Sequence, residues 1–181
     1  MNIPNIITIM RILLVPVVGY LLLEREFRPA VWLFLFAGVS DALDGFIARR
    51  FGMTTRLGSV LDPLADKLLV VTTVIILTRM ALFPFWLVTV IITRELIIMG
   101  GAGACYLRDG GLEMAPSIPS KVNTCVQVAL LYLVLGEAAG YLAIAEWLPV
   151  LFGVALATTF LSGGHYVVAW WRKGSENTPT P

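Results

Sequence analysis

Charge is what this sequence has least of. Only 14% of its 181 residues are Asp, Glu, Lys or Arg, against about 25% in an ordinary soluble domain. A single histidine leaves little for an imidazole metal site or a Ser–His or Cys–His catalytic pair. Two cysteines, Cys105 and Cys125, sit in apolar context without CxxC spacing. That excludes a disulfide framework and a zinc ribbon and leaves the expectation of two buried thiols. Thirteen basic against 12 acidic residues give a net charge of +1, so no field exists to attract nucleic acid. No internal repeat is visible, which argues against a duplicated transporter. The first apolar run contains Arg11 and is followed by no small-residue cleavage motif, so it is expected to be mature structure rather than a signal peptide.

What is present in excess is apolar surface. The chain is 58% hydrophobic with a mean hydropathy of +0.85, and a domain this small cannot hide that much from water. Apolar runs of about 20 residues suffice to cross a bilayer. Six fit: 6–23, 29–48, 60–80, 83–107, 122–143 and 148–171. In lipid every backbone group must be satisfied internally, so the runs are expected to be helices. The fold class expected is an all-α integral membrane protein with six transmembrane helices. The expected organisation is one six-helix membrane domain over 1–173 with a disordered tail over 174–181. With six spans both termini share a side. Arg49, Arg50, Arg56, Arg108, Lys121, Arg172 and Lys173 lie on that side, and Arg25, Arg28 and Arg79 on the other. The bias places the first set in the cytoplasm. Trp170 and Trp171 before Arg172 and Lys173 read as an interfacial anchor.

Against that apolar background four carboxylates stand together. Asp41 and Asp44 are i,i+3 near the end of the second run, and Asp62 and Asp66 are i,i+4 near the start of the third. Each pair shares one helix face, and a short connection makes the two helices antiparallel neighbours. Gly45, Ala48 and Gly58 keep the same stripes small, and Arg49 and Arg50 lie one turn beyond. Ionisable groups in membrane spans are costly and mark function. Four close carboxylates would repel unless a cation joined them. All-oxygen ligation selects a hard ion, Mg²⁺ above all with Mn²⁺ as the alternative, and shared carboxylates allow one ion or two. The opposing interpretation, Asp side chains capping helix ends and pairing with Arg49, Arg50 and Lys67, serves any one of them better than it serves all four. A small cation carrier is a more remote alternative.

Asp41-Ala-Leu-Asp44-Gly45-Phe-Ile-Ala48-Arg49, eight residues, Gly58, three residues, Asp62, three residues, Asp66 resembles the motif of the CDP-alcohol phosphotransferase family at all eight fixed positions. The likeness extends from Asn2-Ile-Pro-Asn to Ser120-Lys-Val-Asn-Thr. The resemblance implies a six-helix membrane enzyme, typically a homodimer, that moves a substituted phosphate from a CDP-linked donor to an alcohol and releases CMP. It implies that Asp41, Asp44 and Asp62 hold one Mg²⁺ and that Asp41, Asp62 and Asp66 hold a second. Asp66 would also be the general base toward the acceptor hydroxyl. Donor binding would fall to Asp44, Gly45, Ala48, Arg49, Thr55 and Gly58, with Pro4, Asn5, Ile6 and Ile7 closing over the nucleotide.

The expected donor is CDP-diacylglycerol and the expected acceptor a glycerol derivative, in anionic phospholipid synthesis at the cytoplasmic face (the inner membrane in a bacterium). Two branches of the family fit. The length, the Ile3-Pro4-Asn5 start and Asp62-Pro63-Leu64-Ala65-Asp66-Lys67 resemble the branch that uses sn-glycerol 3-phosphate, and this is the acceptor expected here. Ser120-Lys-Val-Asn-Thr124 in place of Gly-Lys-x-Lys-Thr, and Gly100-Gly101-Ala102-Gly103 in place of Gly-Leu-Arg, resemble the branch that makes cardiolipin from phosphatidylglycerol, the alternative. Arg94, Lys121 and Arg11 are the cations best placed for the acceptor. Arg94-Glu95 lies mid-span, where neutralisation against a neighbouring helix is an equal possibility. Gly100, Gly101 and Gly103 are expected to serve close helix packing, and His165 to be structural.

Overall fold

Proline opens the helices and a left-handed residue closes them. The computed structural model describes the backbone at residues 3–51, 56–109 and 118–176, and side chains at 10–40, 67–98, 100 and 118–164. Six helices follow in order: α1 (Ile3–Leu23), α2 (Phe27–Phe51), α3 (Arg56–Arg79), α4 (Phe85–Asp109), α5 (Ile118–Ala138) and α6 (Leu148–Glu176), the last preceded by a 3₁₀ turn at Ala145–Trp147. Among the described residues there is no strand. Pro4, Pro29, Pro119 and Pro149 fall in the first turns of α1, α2, α5 and α6, and Pro84 stands just before α4. A first-turn N–H has no partner inside the helix, so its loss there is harmless.

Three helices stop in one way. After α1, Arg25 (φ 62°) donates its N–H to Leu22 O at 3.0 Å and Glu26 donates to Leu21 O at 2.8 Å. After α3, Ala81 (φ 58°) donates to Thr78 O and Leu82 to Leu77 O, both at 3.0 Å. After α5, Gly140 (φ 72°) donates to Glu137 O at 3.0 Å and Tyr141 to Gly136 O at 2.9 Å. Each is a Schellman stop, which satisfies the last carbonyls by turning one residue left-handed. The stop at Gly140 explains why α5 ends at Ala138, short of the Ala143 that hydropathy alone indicates. At the other extreme α6 carries helix through Glu176. The tail expected to be disordered from 174 is thus helical for three residues, because Ser and Glu tolerate a helix and lysine suits its last turns. Residues 177–181 lie outside the described residues.

The chain divides into two compact units, where the sequence shows no boundary. The first comprises residues 1–84 and 131–145. In it α1 packs along both α3 and α2, around a core of Val18, Leu22, Ala30, Phe34, Leu77 and Leu135. Gly19 lets α3 approach, since a Cβ there would lie 3.5 Å from Ile76 Cδ1 and 3.6 Å from Thr72 Cγ2. Tyr132 donates its hydroxyl to Phe34 O at 2.8 Å and meets the Phe34 ring edge-on. At the turn after α5, Arg28 Nε donates to Ala139 O at 3.3 Å with its guanidinium 5.9 Å above the Tyr141 ring. Trp32 Nε1 donates to Tyr141 Oη at 3.2 Å. Such amphipathic aromatic and arginine groups suit a membrane–water boundary.

The second unit comprises residues 85–130 and 146–181. There α4 packs along α6, and among the described residues the buried apolar set is Leu87, Val88, Ile91, Leu130 and Ala155. Beside it are six buried polar residues, Arg94, Ser120, Asn123, Gln127, Thr159 and Ser162.

Two stretches of the described residues, 118–138 and 145–164, are long and apolar enough to cross a membrane, and 10–23 and 27–40 form shorter apolar helices. Large apolar side chains such as Leu13, Tyr20, Trp32, Phe160 and Leu161 point outward. A soluble monomer rarely exposes so many.

Candidate active site

The backbone puts Asp41, Asp44, Gly45, Ala48 and Arg49 on α2 and Gly58, Asp62 and Asp66 on α3. Their side chains, those of Pro4, Asn5, Ile6 and Ile7, and the whole of Thr55 lie outside the described residues, so the expected convergence of the carboxylates falls there too. What is described is the frame beside them. Met10, Arg11 and Leu14 of α1 and Phe36, Ala37 and Ser40 of α2 line one shallow pocket, and Ser40 immediately precedes Asp41. Arg11 is 2% exposed. Among the described residues no group of three or more His, Cys, Asp or Glu could hold a metal. The donor set that could is the aspartate quartet, and four carboxylates with no sulfur or nitrogen suit a hard dication such as Mg²⁺.

Arg94 of α4 is fully described. It is 6% exposed and pairs with Glu95, its neighbour in sequence. Its NH2 group donates to Ser120 Oγ of α5 at 2.6 Å and to Ser162 Oγ of α6 at 2.7 Å. One guanidinium thus ties three helices of the second unit together, and charge-assisted bonds of this length are the strong kind. The neutralising partner is the adjacent Glu95 rather than a residue of another helix.

The polar seam continues along the same helices. Asn123, 0% exposed, accepts at Oδ1 from Thr158 Oγ1 and Thr159 Oγ1, each at 3.0 Å. Gln127 Nε2 donates to Thr159 Oγ1 at 3.3 Å. Asn123 Nδ2 and Arg94 Nε have no hydrogen-bond partner among the described residues. The seam was not singled out in the sequence, yet it had a signal: Ser120, Asn123 and Gln127 recur at helical spacing opposite Thr158, Thr159 and Ser162 in otherwise apolar runs.

Other expectations fared unevenly. Lys121 is exposed beside Ser120, at the start of α5. Cys125 is exposed on α5 rather than buried, because its helix turns Ser120, Asn123 and Gln127 inward and leaves it on the outer face. Gly100 does not serve close packing, since an added Cβ would meet nothing within 4 Å. Cys105, Gly101, Gly103 and the side chain of His165 lie outside the described residues.

Comparison with known proteins bears on the whole chain. Cardiolipin synthase (CMP-forming) of Rattus norvegicus is 37% identical over 91% of this chain and 60% of its own length. The Homo sapiens protein of the same name is 36% identical over the same shares. CDP-diacylglycerol--glycerol-3-phosphate 3-phosphatidyltransferase of Bacillus subtilis (strain 168) is 34% identical over 94% of this chain and 96% of its own. The chain thus spans about 60% of the rat and human relatives and nearly all of the bacterial one. A family profile, CDP-alcohol phosphatidyltransferase, matches residues 1–169, a span that takes in the aspartate motif. The chain belongs to the CDP-alcohol phosphatidyltransferase family.

Proposed function

We propose that this protein transfers the phosphatidyl group of CDP-diacylglycerol to a glycerol-type hydroxyl and releases CMP, in the synthesis of anionic phospholipids. The catalytic body spans 1–173, crosses the membrane six times as a homodimer, and works at the cytoplasmic face. The acceptor expected from the sequence is sn-glycerol 3-phosphate. Phosphatidylglycerol is a second reading, favoured by the neutral surroundings of Arg94.

The observation that carries this reading is helix register. Taking Met10 level with Ser40 and Leu14 level with Phe36, as the pocket they line implies, Asp41 and Asp44 fall level with Ile9 and Ile6 of α1. Gly19 faces Thr72 and Ile76. With α3 running in the direction of α1, Asp62 and Asp66 fall level with Ile7 and Arg11. All four aspartates then share a stretch of about 8 Å along α1, at 1.5 Å per residue. Pro4, Asn5, Ile6 and Ile7 fall in or beside that stretch, which suits a role over the nucleotide.

In this reading Asp41, Asp44 and Asp62 hold one divalent ion, and Asp41, Asp62 and Asp66 a second. When bound, Mg²⁺ or Mn²⁺ draws charge off the diphosphate and orients it. Gly45, Ala48 and Gly58 leave space for the nucleotide, and Arg49 and Thr55 grip it. Asp66 takes the acceptor's hydroxyl proton while the hydroxyl oxygen bonds to the lipid-linked phosphorus. The phosphorus–oxygen bond to CMP breaks and CMP departs. Arg94, Lys121 and Arg11 serve the acceptor.

The test is CMP release by the purified full chain in lipid nanodiscs with CDP-diacylglycerol and either acceptor. Asp66→Asn is expected to lower turnover by roughly 10²- to 10⁴-fold, the usual worth of a positioned base, while donor binding survives. Excess chelator is expected to stop the reaction and added Mg²⁺ or Mn²⁺ to restore it. Undiminished turnover by Asp66→Asn, or in chelator, refutes the mechanism.

A further inference from the structure

A positive charge sealed among apolar helices needs a negative one within reach, because an uncompensated buried charge is expensive. Arg11 is such a charge. It is 2% exposed, and Met10, Leu14, Phe36, Ala37 and Ser40, which line the pocket with it, are all uncharged. The acidic residues of its unit are Glu24, Glu26, Asp41, Asp44, Asp62, Asp66 and Glu137. The glutamates stand at the wrong end. Glu24 and Glu26 follow α1, about 20 Å along its axis from Arg11 at 1.5 Å per residue. Glu137 Oε2 accepts from Ile144 N at 2.6 Å, beside the turn where Arg28, at the start of α2, bonds Ala139 O. Within this unit the aspartates remain.

Register brings Arg11 to them. Where Met10 is level with Ser40 and Gly19 faces Thr72 and Ile76, Asp66 falls level with Arg11. Asp41, Asp62 and Asp44 then fall about 3, 6 and 7.5 Å nearer the start of α1. A helical side chain leans toward the N-terminus of its own helix, which for Arg11 is that same direction. Faces agree with levels. Met10 and Leu14, flanking Arg11, meet α2, and Gly19, about two turns on, meets α3, so Arg11 sits on the side of α1 between them. On α3 the buried Leu69, Thr73 and Leu77 continue at helical spacing the stripe of Asp62 and Asp66.

We propose that Arg11 is the built-in counter-charge of the aspartate site, bridging Asp41 of α2 and Asp66 of α3 and holding the quartet together before a divalent ion arrives. The inference rests on the metal-dependent transfer reading above. It narrows the part of Arg11 in that reading from contact with the acceptor to support of the aspartates, as a positioning residue. The charge acts in two opposed ways. In the empty site it offsets part of the repulsion among four carboxylates, and toward an incoming cation it is itself repulsive. Arg11 therefore steadies the metal-free protein and weakens metal binding together. A side chain that merely filled space would do neither.

The experiment uses the full chain in lipid nanodiscs, with Mn²⁺ binding read by electron paramagnetic resonance and melting followed with and without the ion. A unit charge within about 4–6 Å moves a carboxylate's affinity for a proton by roughly one to three decades. By the same interaction Arg11→Gln is expected to bind Mn²⁺ about tenfold more tightly than the wild type. In chelator it is expected to melt at least about 5 °C lower, and at saturating Mn²⁺ to recover most of that loss, because an ion that binds the folded state stabilises it. Arg11→Lys keeps the charge and is expected to stay near the wild type in both readouts. If Arg11→Gln does not fold without metal, adding Asp41→Asn, which removes the carboxylate left over, is expected to restore folding in chelator; failure to do so overturns the inference. Unchanged or weaker Mn²⁺ binding by folded Arg11→Gln, or an equal melting loss with and without Mn²⁺, overturns it and leaves the transfer reading standing. A raised acceptor KM at unchanged Mn²⁺ affinity overturns it in favour of direct acceptor contact. No Mn²⁺ binding by the wild type overturns both.

Discussion

Replacing Ser162 by alanine removes one of the two oxygens that hold the Arg94 NH2 group. Ser162 is 0% exposed and its Oγ lies 2.7 Å from that nitrogen, with Ser120 Oγ at 2.6 Å on the other side. The variant leaves one N–H of a buried cation without an acceptor. A hydrogen bond to a charged group contributes about 1.5–3 kcal/mol in water-soluble proteins. Polar pairs between membrane helices average nearer 0.6 and reach about 1.7, because the unfolded chain in a membrane also finds partners. The charge and the already unpartnered Nε favour the upper end of the membrane range, about 1.5 kcal/mol. For a chain of this size that lowers Tm by roughly 3–6 °C. Ser120→Ala is expected to do the same, and the double variant to lose more than the two singles together, since no oxygen then remains on NH2. Tryptophan fluorescence during heating in detergent reads the shift. Thr89→Val is the control: it deletes a hydroxyl that bonds only within its own helix, to Phe85 O at 3.0 Å, and is expected to move Tm by less than about 1 °C. Ser162→Ala indistinguishable from that control refutes the account of Arg94 as the tie between α4, α5 and α6.

Ala81→Gly relieves a left-handed alanine at φ 58° and is expected to stabilise the fold by about 1 kcal/mol, read in the same melt; a loss of stability would show that the turn after α3 is held by something other than its backbone. Gly38→Ala sets a Cβ 3.0 Å from Tyr132 Oη. It is expected to destabilise by about 1 kcal/mol by pushing that hydroxyl off Phe34 O, and most of this loss should vanish when Tyr132→Phe is the background.

The helices were legible because their signal is long and one-dimensional. Twenty apolar residues bounded by proline or charge specify a helix whatever lies beside it, so each of the six runs contains or largely overlaps one of α1 to α6. Their ends were less legible, since hydropathy fades before the backbone hydrogen bonds do. That is why α2 runs on to Phe51 and α6 to Glu176, while Gly140 stops α5 early. The aspartate quartet stood out because charge at helical spacing is rare in apolar runs. The Arg94 seam was harder to see, because single Ser, Thr, Asn and Gln residues are individually tolerable in membrane helices. Only the approach of α4, α5 and α6 shows them as two hydrogen-bonded groups, one around Arg94 and one around Asn123. The division into two units had no local signal at all, since residues 131–145 join the first unit through contacts distant in sequence.

The bonds of Arg94 also constrain how the chain can be built into a membrane. Its oxygen partner on α6 lies 68 residues downstream and the one on α5 lies 26 downstream, so neither exists when α4 first leaves the ribosome. In the six-span reading proposed above, a lone arginine in mid-helix makes α4 a poor candidate for release into lipid. Glu95, made immediately afterwards, can neutralise it meanwhile, and in that reading α4 has reason to linger at the insertion machinery until α5 and α6 arrive. Chains cut between Ser120 and Ser162 should therefore leave α4 loosely held and open to quality-control proteases.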